Sequence, residues 1–224
     1  MRRLHKKPTV TASPDIKVHE PRLSRWTVFL CKLLGRGYLF FFLGIARAVL
    51  HNEKNLIDFF QRALSGKSRC IVAFRHPNAG EPQLIGWFTL FKLRHIAASK
   101  GVRFPRNSHV LFVYSYEVVR YGGWVAKFIL PNLKAMPIHN AKMDSQGMAN
   151  IYQAIIEGHY PLALAPEGRV SYTGGAVPRL EPGAIRIGFH AANRLADKGS
   201  DCPLEILPMA FHYHFGAWGK LTLE

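Results

Sequence analysis

The chain has 224 residues, 48% hydrophobic and 20% charged, with a formal net charge of +16. That length makes one domain, with room for an appendage, and buries a core without staples. The composition excludes disordered, collagen-like and coiled-coil classes. The three cysteines (Cys31, Cys70, Cys202) are widely spaced with no CxxC, which argues against a disulfide framework or zinc site and fits a reducing compartment.

Half of the excess charge lies in the first fifty residues, which hold ten basic side chains and two acidic ones, Asp15 and Glu20. Such a segment seeks phosphate, in nucleic acid or at an anionic lipid surface. Residues 1–25 are polar, basic and contain Pro8, Pro14 and Pro21; they read as a flexible tail. Residues 26–50 are apolar, but the cleanest run, Tyr38–Ala46, is only nine residues, against the about 20 that a span needs. Lys32, Arg36 and Arg47 interrupt it, and a charge at the bilayer centre costs at least ~2.5 kcal/mol. A secretory signal fits poorly, since the apolar part starts late and no clean small-residue cleavage site follows. The expectation is an N-terminal amphipathic segment over 26–65, one helix or a pair broken near Gly35–Gly37, lying in the membrane interface. Trp26, Phe29, Tyr38 and Phe40–Phe42 would enter the acyl boundary while Lys and Arg meet headgroups. A helix packed on the protein's own core and a true span are the competing readings.

From residue 52 onward, short β-rich runs alternate with helical patterns. Candidate strands are Cys70–Arg75, His109–Tyr116, Lys134–Ile138, Pro161–Ala165 and Glu205–Tyr213, with helices near 82–99, 117–131, 143–157 and 183–198. In the third helix Met143, Gly147, Met148, Ile151, Ala154 and Ile155 share one face, with Asp144 near its start and Gly158 past its end. This alternation predicts an α/β domain over 66–224, a largely parallel central sheet flanked by helices. In such sheets sites form beyond the carboxyl ends of the strands.

Two segments in that position carry chemistry. After the first strand come His76-Pro77-Asn78-Ala79-Gly80-Glu81-Pro82. Pro82 suits the first turn of a helix, placing Glu81 at its edge. A loop folding back would let Glu81 accept a proton from one imidazole nitrogen and leave the other as a base. After Pro161–Ala165 come Pro166-Glu167-Gly168-Arg169-Val170-Ser171. Gly168 permits a positive φ or close approach, and Glu167, Arg169 and Ser171 suit a polar, phosphate-bearing ligand. Each segment alone also reads as an ordinary solvated turn.

Together, H-x4-E and P-E-G-x-x-S about ninety residues later resemble the glycerolipid acyltransferase family, typified by the 1-acylglycerol-3-phosphate acyltransferases. Lys134–His139, Leu180–Ala184 and Ile206–Ala210 resemble further blocks of that family, in the right order. The resemblance covers about residues 68–215 and implies that His76 is the general base and Glu81 its orienting carboxylate. It implies that Glu167, Gly168, Arg169, Ser171 and Asn140 bind the acceptor's polar head. It implies transfer of an acyl group from acyl-CoA or acyl-carrier protein to a lysophospholipid or glycerol-phosphate-type hydroxyl in phospholipid biosynthesis, with no metal or other cofactor. The partners implied are an anionic membrane surface, the acyl donor and a lysolipid, with nucleic acid disfavoured, and the place is the cytoplasmic face of a membrane as a peripheral protein. Three positions depart from the family: Glu81 stands for Asp, His139-Asn140 for an arginine, and Arg169-Val170 for Thr-Arg. They leave the acceptor headgroup open. The rival readings are a non-catalytic basic protein that binds anionic lipid or nucleic acid, and a thioesterase using the same His–Glu pair on water.

Smaller signals carry less. Gly66-Lys67-Ser68 lacks the upstream glycine of a P-loop, since Gln61 stands there. His212-Tyr213-His214 could align two imidazoles as a metal pair, but no third ligand is evident. Ser115 and Ser171 lack a GxSxG context.

Overall fold

The computed structural model describes residues 19–105, 108–139, 144–158, 160–214 and 216. Residues 1–18 of the expected basic tail therefore lie outside the described residues, as do Met143 and Asn140. Five strands form one sheet: β1 (Arg69–Phe74), β2 (Leu111–Ser115), β3 (Met136–Ile138), β4 (Leu162–Leu164) and β5 (Leu204–Met209). Their order is β3-β2-β4-β1-β5, and every pairing is parallel. The α/β architecture expected from the alternation is the one observed.

The central strands are apolar on both faces, as a sheet covered on both sides requires. On one side α2 (Glu53–Leu64) presses Leu56, Phe59 and Phe60 against Val72 and Phe74. On the other, α6 (Ser145–Glu157) and α7 (Gly183–Asp197) bring Ile151, Ile155, Ile187 and Ala191 onto Ile71 and Leu162. Asp144 caps α6 by accepting from the Gly147 N–H at 2.8 Å, and Gly158 follows its end, as the sequence pattern indicates. Both edge strands carry a proline, Pro137 and Pro208. A missing N–H is tolerated only at an edge, and it discourages pairing with a further strand.

Several boundaries differ from expectation. β5 stops at Met209 instead of Tyr213 because its only partner, β1, ends at Phe74, opposite Met209. The helix expected over 82–99 is three pieces: α3 (Glu81–Trp87), a π-helical turn (Phe88–Lys92) and α4 (Leu93–Ser99). Helix α5 (Glu117–Asn132) bends at Gly123, where φ is 57° and ψ −148°.

Helix α1 (Arg25–Phe41) is continuous, so no break falls at Gly35–Gly37. Gly35 is there for contact: a Cβ would sit 3.2 Å from Trp87 Cδ1. The chain leaves the helix after Phe42 and turns at Gly44, with φ 65°. One face of α1 buries Leu39 against Leu84 and Trp87, while the opposite face exposes Trp26, Phe29, Leu33 and Phe41. The segment before α1 is held to the end of α5 by Arg22 N–H to Pro131 O, Ser24 N–H to Asn132 O and Lys134 N–H to Arg22 O.

Candidate active site

The carboxyl ends of the strands place the two sequence motifs side by side. β1 ends at Phe74 and β4, its neighbour, at Leu164. The residues that follow each strand therefore emerge on one edge of the sheet.

His76 and Glu81 meet as the loop geometry demands. Nδ1 of His76 lies 2.7 Å from Glu81 Oε2, and the Glu81 side chain has no exposed surface. A carboxylate so placed accepts, so Nδ1 carries the proton and Nε2 is the nitrogen left to act as a base. The other oxygen, Glu81 Oε1, accepts from the Asn78 N–H at 3.0 Å and from the Tyr213 hydroxyl. Three donors on one buried carboxylate offset the desolvation of its charge. Glu81 also opens α3, where the helix dipole favours an anion.

The Pro166–Ser171 loop is built onto His76 itself. Glu167 Oε1 accepts from the His76 backbone N–H at 3.2 Å and from Arg75 Nε at 3.0 Å. The Ser171 N–H donates back to the His76 carbonyl at 2.9 Å. Both main-chain groups of His76 are thus fixed by the loop. Burial acts to raise the Glu167 carboxyl, but hydrogen bonds from Ser171, Arg75 and the His76 N–H outweigh it and hold the group below the ordinary carboxylate range. Arg75 also donates to the carbonyls of Thr173 at 3.0 Å and Ala176 at 2.8 Å, so one guanidinium ties down the next stretch of chain. Gly168 takes φ 68° at the turn, the conformation that glycine allows without strain.

Of the sequence-predicted site residues, the structure therefore brings together His76, Glu81, Glu167, Gly168 and Ser171. Glu167 turns its carboxylate inward to Arg75 and the His76 N–H, with its side chain 1% exposed. Arg169 lies exposed on the same loop. Asn140 lies outside the described residues; the chain before it ends on His139, stacked on Tyr116 at 4.1 Å beyond β3 and β2. His212 and His214 are both exposed, and among the described residues no group of three metal-ligating side chains occurs; the residue between them, Tyr213, turns its hydroxyl to Glu81.

Arg75 and Tyr213 are the residues that sequence reasoning missed. Tyr213 follows β5, so the rule that sends chemistry to strand ends does point to it. Burial, and then the hydrogen bond to Glu81 and its charge, push the Tyr213 phenol up, which keeps it a donor. His109 shows the contrast with a packing histidine. It precedes β2, at the opposite edge of the sheet, where burial pushes it down to about 4 and Nε2 lies 2.8 Å from the Leu133 carbonyl.

No protein-family model, curated protein or solved structure matches the chain.

Proposed function

We propose that the protein is a membrane-surface acyltransferase. It moves a fatty acyl group from an acyl-CoA or acyl-carrier-protein thioester to the hydroxyl of a lysophospholipid or glycerol-phosphate-type acceptor. The observation that carries this reading is the His76–Glu81 pair at 2.7 Å on the carboxyl edge of the sheet, with the loop of the second motif bonded to the His76 main chain. The resemblance of both motifs to the glycerolipid acyltransferases supports the same reading.

His76 Nε2 takes the acceptor hydroxyl's proton as its oxygen bonds to the thioester carbonyl carbon. Glu81 stabilises the imidazolium that forms and holds the ring in place. The tetrahedral adduct then collapses, the C–S bond breaks, and the thiolate takes the proton from His76. A thioester is already activated, so the reaction as written draws on no further cofactor. Gly168 and Arg169, exposed on a loop whose base is fixed by Glu167, are the groups that meet the acceptor's polar head, with Asn140.

Membrane contact is supported by apolar surface that water would otherwise cover. Besides the outer face of α1, which exposes Trp26, Phe29, Leu33 and Phe41, helix α5 exposes Tyr121, Trp124 and Phe128. Aromatic residues interleaved with cations suit an anionic interface, such as the cytoplasmic leaflet. No helix among the described residues is long and apolar enough to cross a membrane.

The test is turnover of labelled palmitoyl-CoA with vesicles that carry lysolipids or glycerol phosphate, run beside His76→Ala. Acceptor-dependent ester that disappears in the variant supports the proposal. Thioester loss without an acceptor would make the protein a thioesterase, and no turnover with intact vesicle or nucleic-acid binding would make it a binding protein.

A further inference from the structure

A second charged site, lined by neither His76 nor Glu81, is a groove of about 530 Å³ between α1, residues 46–48 and the π-helical turn. Lys32, Arg36, Arg47 and Lys92 line it, around Trp87 and Phe91. Among the described residues no Asp or Glu lines this groove, and no ion pair involves any of the four cations. Lys32 and Arg36 are four residues apart on one helix, a spacing at which like charges repel. The side chains of Lys32 and Arg47 have no hydrogen-bond, ion-pair or ring partner among the described residues, so contacts within the fold do not account for them.

The π-helical turn shapes the groove. Its closing bond runs from the Leu93 N–H to Phe88 O, five residues back. That releases the Thr89 carbonyl, which accepts from the Ser108 hydroxyl at 2.6 Å. In an α-helix, residues five apart point away from each other; the wider turn brings them to one side. Lys92 consequently sits 5.5 Å above the ring of Trp87, five residues before it. Arg36 approaches the same ring from α1 at 6.0 Å, while donating to the carbonyls of Ile45 at 3.1 Å and Ala46 at 2.5 Å. The cations thus come from three elements, and Leu33, on the exposed apolar face of α1, lines the same groove.

We propose that this groove binds the phosphate headgroup of an anionic phospholipid, whose acyl chains lie along the exposed face of α1. Charge complementarity selects the phosphate, and the apolar border selects an amphiphile over a free anion. The site would hold α1 on the bilayer through a single lipid, and it is independent of the dyad: His76→Ala should bind lipid as the wild type does.

The experiment titrates the full chain with short-chain phosphatidylglycerol, phosphatidylcholine or inorganic phosphate by calorimetry. The groove variant is Lys32→Gln/Arg47→Gln/Lys92→Gln, which spares the Arg36 contacts. A control variant removes three exposed cations elsewhere, Lys54→Gln/Arg94→Gln/Lys198→Gln. The groove variant should lose about tenfold to a hundredfold in affinity for phosphatidylglycerol, with the control within about threefold. Equal losses in both variants would overturn the proposal in favour of diffuse attraction. Inorganic phosphate binding as tightly as the lipid would overturn the headgroup assignment, and phosphatidylcholine binding as tightly would overturn the role of charge.

Discussion

At the carboxyl edge of the sheet Glu81 is wholly buried and meets three donors. Under α1, four cations face a groove that no acid lines. The first arrangement satisfies its charge internally and fixes one geometry, which suits a group that must steer a proton. The second pairs none of its cations with an acid among the described residues, which suits a surface awaiting an anion. The difference separates machinery that must be right before a substrate arrives from a surface completed by its ligand.

Removing the base breaks the comparison most sharply. In the acyltransferase reading His76→Ala should lower turnover about 10³- to 10⁴-fold, the usual upper range for a general base, with vesicle binding unchanged. Loss of both together would show that the two regions are not separable. Glu81→Gln should cost nearly as much, up to about 10⁴-fold, since the amide NH2 donates to Nδ1 and leaves the proton on Nε2, the wrong tautomer for a base. Single-turnover rates, with circular dichroism to check folding, measure each step.

The Arg75–Glu167 pair tests the structural half of the same edge. The carboxylate is 1% exposed and the guanidinium 16%, so Arg75→Met strands a buried charge and should cost about 2–3 kcal/mol of stability. Because Glu167 is held below the ordinary carboxylate range, its contribution is present above the unfolded value of about 4.3 and fades as pH falls below it. The melting difference between wild type and Arg75→Met should therefore be full at neutral pH and shrink below about pH 4. A difference that stays constant on acidification would show that the arginine acts through its contacts with Thr173 and Ala176 alone.

Arg75 and Tyr213 mark where the sequence stops being legible. Strand–helix alternation and residues after strands identify the sheet and the dyad, because both are local: His76 and Glu81 are five positions apart and meet within one turn-rich loop. The contact of Arg75 with Glu167 spans 92 positions, and that of Tyr213 with Glu81 spans 132. Such contacts depend on strand order, and β1 lying between β4 and β5 is not written in any one segment. The π-helical turn is equally hidden, since it depends on Ser108 reaching the Thr89 carbonyl from a distant part of the chain. The continuity of α1 is a third case: Gly35 reads as a breaker until Trp87 is seen to need its missing Cβ.

Tyr213→Phe sharpens the comparison at its finest grain. The substitution removes one donor from Glu81 and leaves Asn78 and His76 in place. A hydrogen bond of this kind is worth about 1 kcal/mol net, so turnover should fall about three- to tenfold with KM for acceptor and donor unchanged. A purely structural role would instead lower stability and leave kcat alone. The phenol supplies a second signature: burial, then the hydrogen bond to Glu81 and its charge, push it up, so Tyr213 joins Tyr114 and Tyr116, which burial also raises, as a tyrosine that resists ionisation in an alkaline ultraviolet titration. One fewer resistant tyrosine in the variant than in the wild type, together with the fall in kcat, would identify Tyr213 as a positioning residue for His76 acting through Glu81. An unchanged number of resistant tyrosines would show that Tyr213 ionises as an ordinary phenol and does not hold the buried carboxylate.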